Sequence, residues 1–230
     1  MDNLSQAIKL IAVCFVPILL GAVFHELAHG WVACQRGDPT ARRLGRLSLN
    51  PLVHLDFLGS LVFIVTTLAG SVSGGGFIFG WAKPVPINPR YFRNFRLSMI
   101  LVSLAGAAAN LLLALSFAAF ARLALFFAEG RHAPFFSLNN TFVLNMCVAG
   151  VLINLNLAFL NLLPIPPLDG SRVVACLLPP PMASAYFKLG NFGMLIVLVL
   201  LATGLLSKVI IPMTVYSAGV IMDIAGLPLY

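Results

Sequence analysis

The sequence predicts an all-α polytopic membrane protein, and three observations support this fold class. The chain has 230 residues, of which 60% are hydrophobic and only 9% are charged, and its mean hydropathy is +0.99. Soluble globular domains contain fewer apolar residues than this. The apolar residues form continuous runs that suit membrane helices, without the alternating pattern of an outer-membrane barrel. We therefore expect about five to six transmembrane helices, with a re-entrant segment around residues 55–81.

The apolar runs set the order of the expected helices. Five of them are clear, at residues 8–33, 98–128, 141–163, 192–206 and 209–227. A sixth run, at residues 55–72, is weaker. Only Ser207 and Lys208 separate the last two runs, which predicts a C-terminal helical hairpin at about residues 191–228. No cleavable signal is expected, because the first run itself contains a polar motif.

Charge and cysteine content exclude several classes of protein. The net charge of +7 does not indicate nucleic-acid binding, because most basic residues lie in loops between apolar runs. The four cysteines form no C-x-x-C pair, and two of them lie inside apolar runs. We therefore expect no nucleic-acid partner, no disulfide framework and no cysteine-based zinc site.

The first apolar run contains His25, Glu26 and His29, which form the pattern H-E-x-x-H. Residues four apart lie on one face of a helix, so the two imidazoles can bind one metal ion. Glu26 lies beside them, where its carboxylate can accept a proton from a water that the metal activates. The chain has only seven acidic residues and four histidines, and ionisable groups inside a membrane segment are costly and usually functional. A single histidine in a membrane helix is usually explained by a hydrogen bond to a neighbouring helix. That explanation suits this pair of histidines less well.

Asp169 is the leading candidate for a third metal ligand. The run at 141–163 leads into Pro164, Pro166 and Pro167, and prolines this close together end or break a helix. Backbone freed at membrane depth has to line a cavity or pack within protein, and Asp169 follows directly. Two histidines and one carboxylate leave a fourth position for water, as a catalytic zinc site requires, so we expect one Zn2+ per chain. The alternative is that Asp169 only caps the next helix.

Five stretches of the chain together resemble the site-2 protease family of intramembrane zinc metalloproteases. They are H-E-L-A-H at 25–29, G-R-L-S-L-N-P-L-V-H-L-D at 45–56, G-W-A-K-P-V-P-I-N at 80–88, G-A-A-A-N at 106–110 and N-L-L-P-I-P-P-L-D-G at 161–170. The second and third are similar to the compact bacterial branch, which lacks PDZ and CBS domains. Family members commonly have A-G-P before the middle asparagine, where this chain has A-G-A.

The resemblance implies a single membrane-embedded protease domain over residues 1–230, with its catalytic core at about residues 8–172. It implies a zinc metalloendopeptidase that hydrolyses peptide bonds within or near transmembrane segments, for regulated proteolysis or for clearance of signal remnants. The expected partners are single-pass membrane proteins or signal-peptide remnants, together with the lipid bilayer. The alternative is a metal or ion transporter with the same His and Asp ligands. A transporter would not need Glu26 between the ligands, and it usually has paired broken helices.

Three further residues are candidates for contacts with substrate. The resemblance implies that Asn110 or Asn161 donates hydrogen bonds to substrate backbone or to the oxyanion. His54 is a candidate for contacting substrate or for orienting another group. Each asparagine can equally hold helices together, and His54 can equally be a structural donor beside Asp56, which suits a helix start.

Topology links the metal site to the charge distribution. His25 lies about 26 Å along a helix from Ile8, toward the far face of a core roughly 30 Å thick. Asp169 reaches the same face only if residues 55–81 enter the membrane and return, and the S-V-S-G-G-G sequence at 71–76 permits such a turn. Ten of the fourteen basic residues then share that face: Arg36, Arg42, Arg43, Arg46, Lys83, Arg90, Arg93, Arg96, Arg172 and Lys188. The positive-inside rule therefore predicts a multi-pass inner-membrane protein with its active site toward the cytoplasm.

Overall fold

The computed structural model describes residues 2–59, 61–62, 65, 82–129 and 134–227, and it confirms the all-α fold. The named helices are α1 (Asp2–Gln35), α2 (Thr40–Arg43), α3 (Phe95–Glu129), α4 (Pro134–Leu162), α5 (Asp169–Leu177), α6 (Pro180–Lys188), α7 (Gly190–Ala202) and α8 (Leu205–Ile224). Two short 3-10 turns, Pro51–Val53 and Pro89–Tyr91, lie between α2 and α3.

Four of these helices contain segments long and apolar enough to cross a membrane, among the residues that the structure describes. The segments are Ile8–Gln35, Phe95–Phe127, Phe142–Leu162 and Leu205–Ile224. A fifth is possible if α6 and part of α7, which are bent by 64° at their junction, count as one broken span. The chain is thus a multi-pass membrane protein. The weaker expected run at 55–72 lies largely outside the described residues.

The C-terminal boundaries differ from those expected. With 13 residues, α7 is about 20 Å long and shorter than the bilayer core, so it counts as a candidate span only together with α6. The turn before α8 lies at Gly204, which has a φ of 71°, a conformation that favours glycine. Ser207 and Lys208, the expected turn, are instead part of the first turns of α8.

The helices α1, α3 and α4 form the centre of the molecule, and small residues let them approach closely. A Cβ added to Gly150 of α4 would lie 2.4 Å from the Phe117 ring of α3, and one added to Gly21 of α1 would lie 2.8 Å from Asn154 Oδ1. Helix α8 covers the outer side of α3 and α4, where Met222 joins their buried apolar residues. Close packing of this kind is typical of helices in membranes, where hydrophobic burial does not drive association between them.

Within the connection between α1 and α3, residues 54–55 lie directly beside residues 82–83. Leu55 and Ala82 form an antiparallel bridge, and the Lys83 N–H donates to the His54 carbonyl at 2.8 Å. The expected re-entrant region at 55–81 therefore starts and ends at one place. Its expected turn at 71–76 lies outside the described residues.

The proline-rich break between α4 and α5 is held tightly in place. Helix α4 ends at Leu162, as the prolines predict, and a Cβ added to Gly170 would lie 2.2 Å from the Leu162 carbonyl oxygen. On the other side of the break, the Tyr186 hydroxyl donates to the Pro164 carbonyl at 2.7 Å. The beginning of α5 is therefore positioned by main-chain packing against α4 and by a hydrogen bond from α6.

Candidate metal centre

Helix α1 presents His25 and His29 on one face, as their spacing predicts. Both side chains are buried, with 8% and 4% of their surface exposed. Asp169 reaches them from the other side of the molecule as the first residue of α5, and it is also buried. The N-cap position of α5 belongs to Leu168, so Asp169 does not have the capping role that was its alternative. In the described part of the chain, these three residues form a group that could hold a metal ion.

The three side-chain atoms form a compact triangle. His25 Nε2 lies 3.2 Å from Asp169 Oδ2, His29 Nε2 lies 3.0 Å from the same oxygen, and the two nitrogens are 3.0 Å apart. In a tetrahedral zinc site with ligand distances of about 2.0–2.1 Å, neighbouring ligand atoms are about 3.3 Å apart. The triangle therefore has nearly the dimensions that three zinc ligands require.

Hydrogen bonds on the outer side of each ring fix the positions of the ring protons. His29 Nδ1–H donates to the Val102 carbonyl at 2.6 Å, and a carbonyl oxygen can only accept. His25 Nδ1–H donates to Asn110 Oδ1 at 2.7 Å. The Asn110 amide is oriented by its own nitrogen, which donates to a carbonyl of α1 and to Asn154 Oδ1. As neutral imidazoles, both histidines therefore direct an Nε2 lone pair at the centre.

The third atom of the triangle carries negative charge. Arg172 approaches the other carboxylate oxygen of Asp169 at 3.4 Å and is partly exposed, so it neutralises little of that charge. With both histidines neutral, two lone pairs and a carboxylate would face one another without a proton between them. A bound cation satisfies all three, and their chemistry fits zinc.

Gly106 on α3 allows the histidine rings to pack directly against that helix. A Cβ at this position would lie 2.5 Å from His25 Cε1 and 2.6 Å from His29 Nε2. Real Cβ contacts are never this short, so any larger residue would push the rings or the helix aside. Gly106 is therefore a packing requirement of the centre.

Glu26 is held beside the two histidines by a main-chain contact. It follows His25 on α1 and is partly buried, and its Oε2 accepts the Val85 N–H at 2.7 Å. Val85 belongs to an extended segment that leads from the bridge at Ala82 toward α3. One oxygen of the Glu26 carboxylate is thus fixed by a main-chain hydrogen bond.

The remaining candidate residues differ in how they relate to the centre. Asn110 is fully buried, and its oxygen and both amide hydrogens bond to residues of α1 and α4. His54 is buried and donates from Nε2 to the Ser48 carbonyl at 2.8 Å. Asn161 donates to the Leu157 carbonyl one turn earlier, at 3.0 Å, which uses one of its two amide hydrogens.

Asn154 is a residue of the centre that the sequence analysis did not identify. It is fully buried, it donates to the Gly150 carbonyl at 2.8 Å, and its oxygen orients Asn110. The sequence did contain a signal for Asn154, which is a lone amide in an apolar run. It lies seven residues before Asn161 and thus near the same face of the helix.

Comparison with known proteins gives one family and two similar relatives. Residues 136–201 match the model of peptidase family M50. The chain is 38% identical over 212 residues to "Putative zinc metalloprotease YwhC" from Bacillus subtilis (strain 168), with 91% of this chain and 89% of the relative covered. It is 34% identical over 190 residues to "Putative zinc metalloprotease Rip2" from Mycolicibacterium smegmatis (strain ATCC 700084 / mc(2)155), with 83% of this chain and 66% of the relative covered. No solved structure matches the chain significantly.

We expect Gly106→Ala to weaken metal binding, because the new Cβ would displace the imidazole rings. Changes in the residues that orient metal ligands cost about 10- to 100-fold in affinity, and a loss of that size is expected here. Competition with a zinc-binding dye gives the affinity of the purified protein. Ala108→Val is the matched control, since Ala108 lies on the exposed side of the same helix. Equal affinities of both variants would contradict the packing requirement.

Proposed function

The chain belongs to peptidase family M50 and is an intramembrane zinc metalloprotease, and on that premise we propose that it is of the site-2 protease type. We propose further that His25, His29 and Asp169 hold the zinc ion and that Glu26 is the general base. The observation that supports this best is the triangle formed by the two histidine Nε2 atoms and Asp169 Oδ2, with separations of 3.0–3.2 Å. The transporter alternative is not favoured, because both relatives carry the name of a metalloprotease.

Each residue of the proposed site has a different role in peptide hydrolysis. Zinc held by these residues would act as a Lewis acid, which polarises a carbonyl and makes water more acidic. Glu26 accepts the proton of the attacking water through Oε1 and later passes it to the leaving amine. Asn110 and Asn154 keep the His25 ring in the tautomer that a metal ligand needs. Asn161 has a second amide hydrogen, which we assign to the substrate backbone or to the oxyanion.

We propose that the substrates are single-pass membrane helices or signal-peptide remnants within the lipid bilayer. The ligands are buried among apolar helices, so a folded soluble protein would not reach them. A helical substrate hides its carbonyls in hydrogen bonds, and it has to unwind before it can react.

We propose that the protein lies in the inner membrane with its active site toward the cytoplasm. The C-terminal end of α1 and the N-terminal end of α3 lie together, because Arg36 donates to Ser98 Oγ at 3.2 Å. Arg43, Arg90 and Arg93 are exposed in this region. A concentration of basic residues on one side supports a cytoplasmic location of that side.

We expect Glu26→Gln to abolish hydrolysis and to leave zinc bound. The amide has nearly the same shape and cannot accept the proton, so kcat should fall at least about 100-fold. Asp169→Ala is the contrasting variant, since it should lose zinc and activity together. Metal analysis and cleavage of a membrane peptide by the purified proteins test both. Near-normal cleavage by Glu26→Gln would exclude Glu26 as the base.

Cleavage should depend on how easily the substrate helix unwinds. Glycine costs a helix about 1 kcal/mol relative to good helix formers, so replacing a glycine near the scissile bond by leucine should slow cleavage about three- to five-fold. Binding should change little. The measurement is cleavage of matched peptides in liposomes, with an unstructured soluble peptide of the same cleavage sequence as the comparison. Equal rates for all of these would indicate a membrane-anchored peptidase with an open site instead.

Cysteine labelling can locate the two faces of the protein. In a variant without the four native cysteines, Arg43→Cys and Arg93→Cys should both resist an impermeant reagent added to intact cells. Ser5→Cys, at the other end of α1, should react and serves as the control. If only one of the two arginine positions reacted, residues 55–81 would have to cross the membrane once, and the proposed topology would be wrong.

A further inference from the structure

An extended segment at residues 82–88 runs alongside α1 and supplies the main-chain contact to Glu26. Its sequence alternates proline with other residues, so Pro84 and Pro86 have no N–H to donate. Val85, between them, carries the N–H that binds Glu26 Oε2 at 2.7 Å. The Val85 side chain is buried against Gly30 of α1, where an added Cβ would lie 3.0 Å from it. The contact with Glu26 therefore depends on the placement of one main-chain group.

Arg46 holds the beginning of this segment. Its side chain donates from Nη1 to the Val53 carbonyl at 2.7 Å, and from Nη2 to the carbonyls of Lys83 at 2.8 Å and Pro84 at 3.2 Å. Arg46 is buried, and in the described part of the chain it forms no ion pair with a carboxylate. A buried cation has to be compensated, and here main-chain carbonyls do so. The planar guanidinium thus joins the two chain segments that meet at the bridge between Leu55 and Ala82.

Asp38 holds the other end of the segment. It is fully buried in the loop after α1, and its Oδ2 accepts the Asn88 N–H at 2.6 Å. Its Oδ1 accepts the Thr40 N–H at 3.0 Å, which fixes the carboxylate itself. Two buried charged side chains therefore attach residues 83–88 at both ends, with Val85 between the attachments.

We propose that Arg46 is a positioning residue for the general base. By fixing the carbonyls of Lys83 and Pro84, it holds the Val85 N–H on one oxygen of Glu26, so that the other oxygen faces the reacting water. This inference rests on the proposed role of Glu26. Because a displacement of about 1 Å can cost about 100-fold in rate, a contact that fixes the carboxylate contributes to catalysis without touching the substrate.

Variants of Arg46 in the full chain test this role. Arg46→Gln removes the forked donor and should lower kcat about 10- to 100-fold, with KM and zinc content changed less than about two-fold. Arg46→Lys keeps the charge but not the fork, so it should recover only part of kcat. Arg43→Gln is the matched control, because it removes an exposed charge from the same loop. Hydrogen exchange of the peptide covering residues 82–88 should increase in Arg46→Gln and not in Arg43→Gln.

Variants of Val85 test the same contact without removing a charge. Val85→Pro removes the N–H from a segment that is already extended and proline-rich, whereas Val85→Ala removes most of the side chain and keeps the N–H. We expect kcat of Val85→Pro to be at least about ten-fold below that of Val85→Ala. The losses in Arg46→Gln and Val85→Pro should not add in the double variant, because both remove one contact.

Each other outcome would overturn the inference in a recognisable way. Equal kcat values for Val85→Pro and Val85→Ala would show that the N–H does not matter. A rise in KM at unchanged kcat in Arg46→Gln would show that the segment binds substrate instead. If Arg46→Gln does not fold, Arg46→Lys and the Val85 pair decide the question. Full activity of Glu26→Gln would remove the base itself, whereas an inactive Glu26→Gln beside fully active Arg46 and Val85 variants would remove only the positioning role.

Discussion

Polar groups inside an apolar helical bundle have to be satisfied, and this requirement determines how the central helices fit together. An unpaired polar group away from water costs several kcal/mol. Asn154 on α4, Asn110 on α3 and His25 on α1 are joined in one continuous series of hydrogen bonds. The series ends on its outer side at the Gly150 carbonyl and on its inner side at His25 Nε2, one of the three candidate metal ligands. A metal ion bound there would be the last member of a network that connects three helices.

Close backbone approach makes this network possible. Gly21 and Gly106 lie where α1 meets the amide network and where α3 meets the histidines, and neither position has room for a Cβ. Asp169 arrives by a different route, through a break in which prolines replace regular helix and after which Gly170 packs against the Leu162 carbonyl. Its carboxylate comes within 3.2 Å of both rings although it is 140 or more residues away in the sequence. The centre thus combines local helical spacing with one long-range contact that the break directs.

How well a feature of this site can be predicted from the sequence depends on whether its contacts lie within one helix or are made only by tertiary packing. The convergence of His25 and His29 is predictable because it is a property of a single helix. Asp169 is predictable because acids are scarce and this one follows a broken helix. Arg46 and Asn154 are not, because their partners are carbonyls and amides that only tertiary packing brings near. The boundary before α8 is missed for another reason, since uniformly apolar helices show no periodicity and the backbone of Gly204 decides where the turn lies.

The prolines beside Glu26 also bear on how a protease avoids acting on itself. Extended chain next to a catalytic centre resembles a bound substrate, and a free row of N–H groups would let other chains pair with it. Between residues 84 and 89, Pro84, Pro86 and Pro89 have no N–H, and the N–H groups of Val85 and Asn88 are bound by carboxylates. A neighbouring chain therefore finds no regular ladder of donors along this segment. The segment can therefore lie against Glu26 without offering a regular row of N–H donors to another chain.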